Sequence, residues 1–116
     1  MDKLTQRADF DAVMSAGVIA VTSHFALHQQ TSGEKSRIGA VVPKRWARKA
    51  VTRNLIKRQI YALGREPWVT DLPTADRVIR LRKTFDTKHF ISASSPNLRH
   101  AVRTELYKLM QHGVAA

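Results

Sequence analysis

Residues 44–58, KRWARKAVTRNLIKR, are the part of the sequence whose side chains are best suited to chemistry. Seven of these fifteen residues are Lys or Arg, and none is Asp or Glu. Ammonium and guanidinium groups at this density bind phosphates, because each one can replace a counterion of a polyanion. Apolar residues interrupt the charges, namely Trp46, Val51, Leu55 and Ile56. The pattern predicts a folded element that packs on one side and binds a polyanion on the other.

The charge of the whole chain is strongly positive and unevenly placed. The 116 residues include 20 Lys and Arg against 9 Asp and Glu, which gives a formal net charge of +11 and an isoelectric point near 11.0. Half of the basic residues lie at positions 35–65, and no acidic residue lies among them. Self-repulsion of this size opposes folding unless a polyanion relieves it. We therefore expect nucleic acid as the partner.

The sequence does not indicate catalysis by the protein's own side chains. The five histidines include no pair at a helical spacing suited to a metal ion, and no GxSxG motif or phosphate-binding glycine loop occurs. Asp9 and Asp11 are two positions apart on a predicted helix, so their carboxylates do not face each other. We predict no catalytic residue and no metal site in the protein, and we interpret the sequence as that of a binding protein.

Length, composition and cysteine content limit the class of protein. A chain of 116 residues with 43% hydrophobic residues suits one compact domain, which we place at residues 1–116. It has no cysteine, so no disulfide can form, as is usual in a reducing cytoplasm. No stretch matches the apolar core of a signal peptide or the roughly 18 apolar residues of a membrane span. We predict a cytoplasmic protein with no membrane partner, and the sequence indicates no obligate protein partner.

The elements before the basic stretch follow from its flanking hydrophobic patterns. A first helix is predicted over about residues 6–16, because apolar residues recur at helical spacing and a glycine follows. The β-branched segments at residues 18–30 and 36–43 predict two strands. The turn residues QTSGEK between these strands predict that they form a hairpin.

Residues 50–63 have the periodicity of a helix with two different faces. At about 100° per residue, one half of the helical wheel is apolar and consists of Val51, Leu55, Ile56, Ile60, Ala62 and Leu63. The other half is polar and consists of Arg53, Asn54, Lys57, Arg58 and Tyr61. Since strands are predicted before and after this helix, we expect an α/β fold in which a basic helix crosses over the sheet.

The rest of the chain predicts a loop, a strand and a closing helix. Pro67 and Pro73 interrupt any regular element in REPWVTDLPTAD, and RVIRLRK predicts a third strand. Ser95 is expected to cap the last helix and Pro96 to be its first residue. The apolar stripe of that helix is predicted to lie in the core, and it consists of Leu98, Val102, Leu106, Leu109 and Met110.

The order of these segments resembles the bacterial ribonuclease P protein component family. The basic pair after the second strand, followed by AVTRNLIKR, resembles the family's signature. The resemblance extends over about residues 7–110, because ADFDAVMSAG, FALH, RIGAVVPKR, DRVIRLRK and PNLRHAVRTELYKL resemble the family's elements in the same order. Five positions depart from the pattern. Leu55 stands where the family commonly has Arg, and Tyr61 and Ala62 stand where it usually has a basic and then an acidic residue. Met14 and His28 stand where the family has aromatic residues.

The resemblance implies a single-domain, two-layer α/β sandwich like domain 2 of ribosomal protein S5, with a left-handed crossover that holds the basic helix. It implies a protein subunit of an endoribonuclease in which a catalytic RNA subunit removes the 5′ leader of precursor tRNA, with magnesium bound mainly through RNA. The partners would be ribonuclease P RNA and precursor tRNA. The RNA-binding residues implied by the matching positions are Lys44, Arg45, Arg48, Lys49, Arg53, Asn54, Lys57 and Arg58.

The resemblance also implies a cleft for the single-stranded leader between the first helix and the sheet. In this sequence it would be lined by Phe10, Met14, Ala26 and His28. Because alternate residues of a strand face opposite sides, Phe25 and Leu27 would then fill the core. The opposing hypothesis is that Phe10 and Met14 are themselves core residues.

Two other functions remain open from the residues alone. One is a ribosomal or other structural RNA-binding protein, which the sequence distinguishes poorly. The other is a basic-helix DNA-binding module, which would need a helix shortly before the basic one. RIGAVVPK predicts a strand at that place.

Overall fold

The protein is a mixed α/β structure built on one five-stranded sheet. The computed structural model describes residues 1–85 and 96–115. In chain order the elements are β1 (Asp2–Lys3), α1 (Arg7–Ser15), β2 (Val18–Val21), β3 (Phe25–Thr31), β4 (Arg37–Val41), α2 (Ala50–Leu63), α3 (Pro67–Thr70), β5 (Ala75–Leu81) and α4 (Pro96–Ala115). The strands have the order β1-β4-β5-β3-β2. The predicted fold class is confirmed.

Strand β5 is the centre of the sheet and separates the two strands that were predicted to form a hairpin. It pairs with β4 in parallel and with β3 in antiparallel orientation, so the hairpin predicted between residues 18–30 and 36–43 is wrong. Turn residues reverse the chain, but they do not decide which strand pairs with which. Every residue of β5 except Arg80 is buried, and a strand buried on both faces belongs inside a sheet.

The hairpin of this fold lies one element earlier. The segment at residues 18–30, predicted as one strand, is divided into β2 and β3, which pair in antiparallel orientation with Val21 opposite Ala26. The break is the polar run Thr22, Ser23 and His24, which has no Gly, Pro, Asn or Asp to mark a turn.

The basic helix connects the parallel neighbours β4 and β5, as the sequence predicts. Parallel strands need such a crossover connection, and here it contains α2 and the short helix α3. Helix α3 was predicted as loop, which is wrong because Pro67 occupies the first turn of a helix, where its missing N–H is not needed. The left-handedness of the crossover stays a prediction.

Helices α2 and α4 cover one face of the sheet and build the main core. The predicted stripe of α4 is confirmed, since all five side chains are at most 3% exposed: Leu98, Val102, Leu106, Leu109 and Met110. Phe25 and Leu27 meet them from β3 with no exposed surface, which confirms the predicted strand parity. Pro96 is the first residue of α4 as predicted, and Ser95 lies outside the described residues.

The buried face of α2 is rotated relative to the predicted one. Leu55, Ile56, Ile60 and Leu63 are buried as predicted, and Ala62 is half-buried. Val51 is 52% exposed, so its assignment to the core is wrong. The physical reason is that the buried face centres near Ile56 and Ile60, and Val51 lies about 140° around the helix from Ile56.

Helix α1 lies on the opposite face of the sheet and spans several strands. Its Phe10 ring packs so closely on Gly39 of β4 that a Cβ at this glycine would overlap the ring. At its other end, the carbonyl of Met14 lies 3.2 Å from Nδ1 of His28 on β3. Arg37 of β4 holds the helix from one side, because its guanidinium donates to Asp9 of α1 and to Asp76 of β5.

Candidate nucleic-acid interface

The loop between β4 and α2 presents the first part of the predicted interface. It turns after Pro43, whose carbonyl accepts hydrogen bonds from the backbone N–H groups of Trp46 (3.1 Å) and Ala47 (3.2 Å). The Ala47 side chain is buried in the core and thereby anchors the loop. The four basic side chains of this loop are exposed: Lys44, Arg45, Arg48 and Lys49.

Three side chains continue this cluster on α2. Asn54, Lys57 and Arg58 are exposed and lie within about 100° of one another around the helix axis. We call the loop and helix residues together the basic surface, and it consists of Lys44, Arg45, Arg48, Lys49, Asn54, Lys57 and Arg58. The opposite side of the helix packs on the sheet, so the packed side that the composition predicts is present, and binding of a polyanion by the exposed side stays a prediction.

Arg53, the eighth predicted RNA-binding residue, makes hydrogen bonds within the protein. It is half-buried, and its Nη1 donates hydrogen bonds to the backbone carbonyls of Ala47 (3.0 Å) and Arg48 (2.7 Å). The guanidinium therefore turns back onto the loop and fixes its path into α2. RNA contact by Arg53 stays a prediction, and this internal bonding could not be read from its place on the helical wheel.

Lys3 is a basic residue that sequence reasoning did not assign to this region. Its ammonium lies 4.4 Å from the centre of the Tyr61 ring, a cation–π distance. Tyr61 belongs to the polar half of α2, so strand β1 delivers a positive charge to the side of the helix where Asn54 and Lys57 are exposed. Two-residue strands have no detectable periodicity, and only the parallel pairing of β1 with β4 reveals this neighbour.

The four residues predicted for the leader cleft lie on the face of the sheet that α1 covers. Phe10 and Met14 are half-buried on α1, with the hydrophobic group of Leu4, Val13 and Val78 beneath them. Ala26 and His28 are 1% and 5% exposed, so they offer little surface to a bound base. The structure thus groups the predicted residues but leaves direct contact mainly to those on α1.

His28 forms a polar link between α1 and the sheet. Its Nδ1 lies 3.2 Å from the Met14 carbonyl oxygen, and Nε of Arg80 donates to its Nε2 at 3.3 Å. A carbonyl can only accept, so the imidazole must carry its proton on Nδ1 and use Nε2 as the acceptor. Burial, and next the positive charge of Arg80, lower the pKa of His28 below its ordinary value of 6.5.

This lowered pKa predicts a pH dependence of stability. As pH falls below 6.5, His28 takes up a proton in the unfolded chain before it does so in the folded protein. The free energy of unfolding should therefore decrease until the pH reaches the lowered pKa of the folded state. Urea unfolding of wild type and His28→Gln, near neutral pH and at about pH 5.5, measures this. The wild type should lose more stability than the variant, and equal losses would contradict the expectation.

The described residues contain neither a metal-binding cluster nor a membrane-spanning helix. Within residues 1–85 and 96–115, no group of three or more His, Asp or Glu side chains could hold a metal ion. None of the helices in the same ranges is long and apolar enough to cross a membrane.

A five-stranded sheet with a basic crossover helix on one face and helix α1 on the other is the arrangement of an RNA-binding protein of the mixed α/β class. A family model described as Ribonuclease P matches residues 1–112. The ribonuclease P protein component of Paraburkholderia xenovorans (strain LB400) is 32% identical over 111 residues, which are 93% of this chain and 77% of that protein. The chain belongs to the ribonuclease P protein family. It is the protein subunit of an endoribonuclease that matures the 5′ end of tRNA, which decides against the ribosomal and DNA-binding alternatives.

Solved structures agree with the fold. The RNase P protein from Staphylococcus aureus aligns with a TM-score of 0.74 at 18% identity, over 96% of this chain and 94% of that one. The RNase P protein from Thermotoga maritima aligns with a TM-score of 0.68 at 23% identity, over 96% and 97% of the two chains. At these identities the likeness concerns the fold alone.

Proposed function

We propose that this chain supports tRNA maturation by binding RNA, and that a separate catalytic RNA carries out the cleavage. The observation that carries this proposal is the basic surface, whose cations stand on one loop and one helix without an acidic residue at positions 36–64. Ammonium and guanidinium groups contact phosphates. These contacts supply affinity and fix the position of the RNA, but they do not recognise its sequence. The natural ligand of the basic surface is therefore ribonuclease P RNA.

A second RNA segment would bind on the other face of the sheet. The α1 face holds the half-buried side chains of Phe10 and Met14, whereas α2 packs on the opposite face of the sheet. One protein can then contact the catalytic RNA and the single-stranded 5′ leader of precursor tRNA at the same time. An aromatic ring and a thioether pack against unstacked bases of any sequence, which suits leaders of varied sequence.

Magnesium and location follow from the same proposal. We assign magnesium to the RNA, as the family resemblance implies. We expect the protein to act in the cytoplasm, where bacterial precursor tRNA is made.

The proposal predicts that the protein makes the holoenzyme prefer substrate with a leader. The ribonuclease P RNA is assayed with and without the protein, and its affinity for precursor tRNA is compared with that for mature tRNA. Addition of the protein should strengthen binding of the precursor about tenfold or more, since each stacked base contributes about 1 to 3 kcal/mol. Equal strengthening of both RNAs would show that the protein does not hold the leader.

A further inference from the structure

Arg80 is a half-buried cation on the face of the sheet that carries α1. It lies on the central strand β5, directly between Ala26 of β3 and Val41 of β4. Paired residues of neighbouring strands share a face, so the three side chains point to the same side as His28 and Gly39. We call Ala26, Arg80 and Val41 the Arg80 row. The side chains of Ala26 and Val41 are short, so the guanidinium is the largest polar group of this row.

The row that contains Arg80 lies beside α1. The helix crosses the sheet over Gly39, Val78 and His28, because Phe10 packs on the first, Val13 groups with the second, and the Met14 carbonyl bonds the third. Arg80 is two residues further along β5 than Val78. The same row reaches Val21 on β2, which is 48% exposed. The α1 face of the sheet is therefore open toward the β2 edge, and a single-stranded RNA can approach Arg80 from there.

Among the described residues, Nε is the nitrogen of Arg80 that has a hydrogen-bond partner. Nε donates to Nε2 of His28 at 3.3 Å, and the proton of His28 on Nδ1 is directed at the Met14 carbonyl. In the described part of the chain, Arg80 forms no ion pair with a carboxylate, whereas Arg37 and Arg103 each do. A guanidinium has five N–H donors, and only Nε–H has a partner among the described residues, so the two terminal nitrogens form an edge with the geometry that suits phosphate.

The ends of the parallel strands add positive charge near this place. Lys44 and Arg45 follow β4, and Arg82 and Lys83 follow β5, at the same edge of the sheet. The backbone of a single-stranded RNA that binds at Arg80 would therefore remain close to positive charges as it continues toward the loop of the basic surface.

We propose that Arg80 binds a phosphate of the single-stranded leader, and that neutral His28 holds the Arg80 guanidinium in the orientation that this contact needs. Arg80 is then a binding residue and His28 a positioning residue, although the sequence predicts direct leader contact by His28. This inference rests on the proposed function, because it names the cation in the leader cleft.

The experiment measures holoenzyme affinity for precursor and mature tRNA, as a function of salt, for Arg80 and His28 variants. Arg80→Ala should lower the preference for precursor about tenfold and make the salt dependence of precursor binding shallower by about one unit of logarithmic slope. Binding of mature tRNA should not change. Arg80→Lys keeps the charge but not the planar fork, so it should restore the slope and only part of the preference.

Two substitutions of His28 separate positioning from packing. Gln can place an acceptor where Nε2 lies, whereas Asn can place a donor only where Nδ1 lies. His28→Asn should therefore lose more of the precursor preference than His28→Gln, and neither should weaken binding further once Arg80 is Ala. Thermal unfolding of each free protein controls for stability, and Arg99→Ala, an exposed arginine on α4, controls for charge.

The outcomes distinguish this inference from the proposed function. If the wild-type protein confers no preference for precursor, the leader proposal itself fails. If the wild type confers it and Arg80→Ala retains it with an unchanged salt slope, leader binding stands and Arg80 is only a packing residue. Equal effects of His28→Asn and His28→Gln would refute the positioning role of His28.

Discussion

Removal of four exposed cations from the basic surface is expected to weaken binding of ribonuclease P RNA by about 600-fold, since each lost charge-assisted contact costs roughly fivefold in affinity. The variant replaces four side chains by alanine: Lys44, Arg48, Lys57 and Arg58. The dependence of affinity on salt should also become shallower by about three units of logarithmic slope, because fewer counterions are released. Filter binding or fluorescence anisotropy over a series of salt concentrations measures both quantities.

The matched control removes the same number of charges elsewhere. It replaces four exposed cations outside the basic surface: Arg7, Lys35, Arg99 and Lys108. Both variants have the same net charge, so a general effect of charge would weaken RNA binding equally in the two. We expect the control to retain most of the affinity and nearly the full salt slope. Loss of affinity by the control alone would place the RNA contact on another surface.

Leu55→Ala is expected to lower the free energy of unfolding by about 2 to 5 kcal/mol, because it removes buried methyl groups and leaves a cavity in a packed core. Leu55 is 3% exposed and belongs to the main core cluster. Chemical denaturation of the free protein measures the change. RNA affinity of the remaining folded protein should be preserved, since Leu55 does not belong to the basic surface.

Val51 provides the matched control on the same helix. It is 52% exposed and lies one turn before Leu55, so Val51→Ala should change stability by no more than about 0.5 kcal/mol. The pair tests the orientation of α2 directly. A larger loss for Val51→Ala than for Leu55→Ala would show that the helix is rotated from the orientation described, and that different side chains face the RNA.

The parts of the fold that depend on local periodicity could be predicted from the sequence. Helix α2 has the predicted bounds, and all five apolar residues of the α4 stripe are buried, because both helices have one long side that must face the sheet. Pairing of strands depends on contacts between distant segments. The position of β5 between β3 and β4 could therefore not be derived from the turn residues that follow β3.

In the candidate site too, features that depend on local sequence could be predicted, and features that depend on contacts between distant segments could not. Exposed cations on the loop and helix follow from composition and helical phase, and seven of the eight predicted residues are exposed. The hydrogen bonds of Arg53 and His28 could not be predicted, because only the folded chain determines where their partners lie. Arg53 donates to the carbonyls of Ala47 and Arg48. His28 bonds the Met14 carbonyl and Arg80. Lys3 was missed for the same reason, since a two-residue strand brings it to Tyr61.

The central claim is that this protein assists a catalytic RNA and does not cleave tRNA with its own side chains. Purified protein, precursor tRNA and magnesium are incubated with and without ribonuclease P RNA, and the 5′ products are separated on a gel. We predict that correct removal of the leader occurs only in the tube that contains the RNA, and that the protein increases its rate there at low substrate concentration. Specific leader removal by the protein alone would contradict the account.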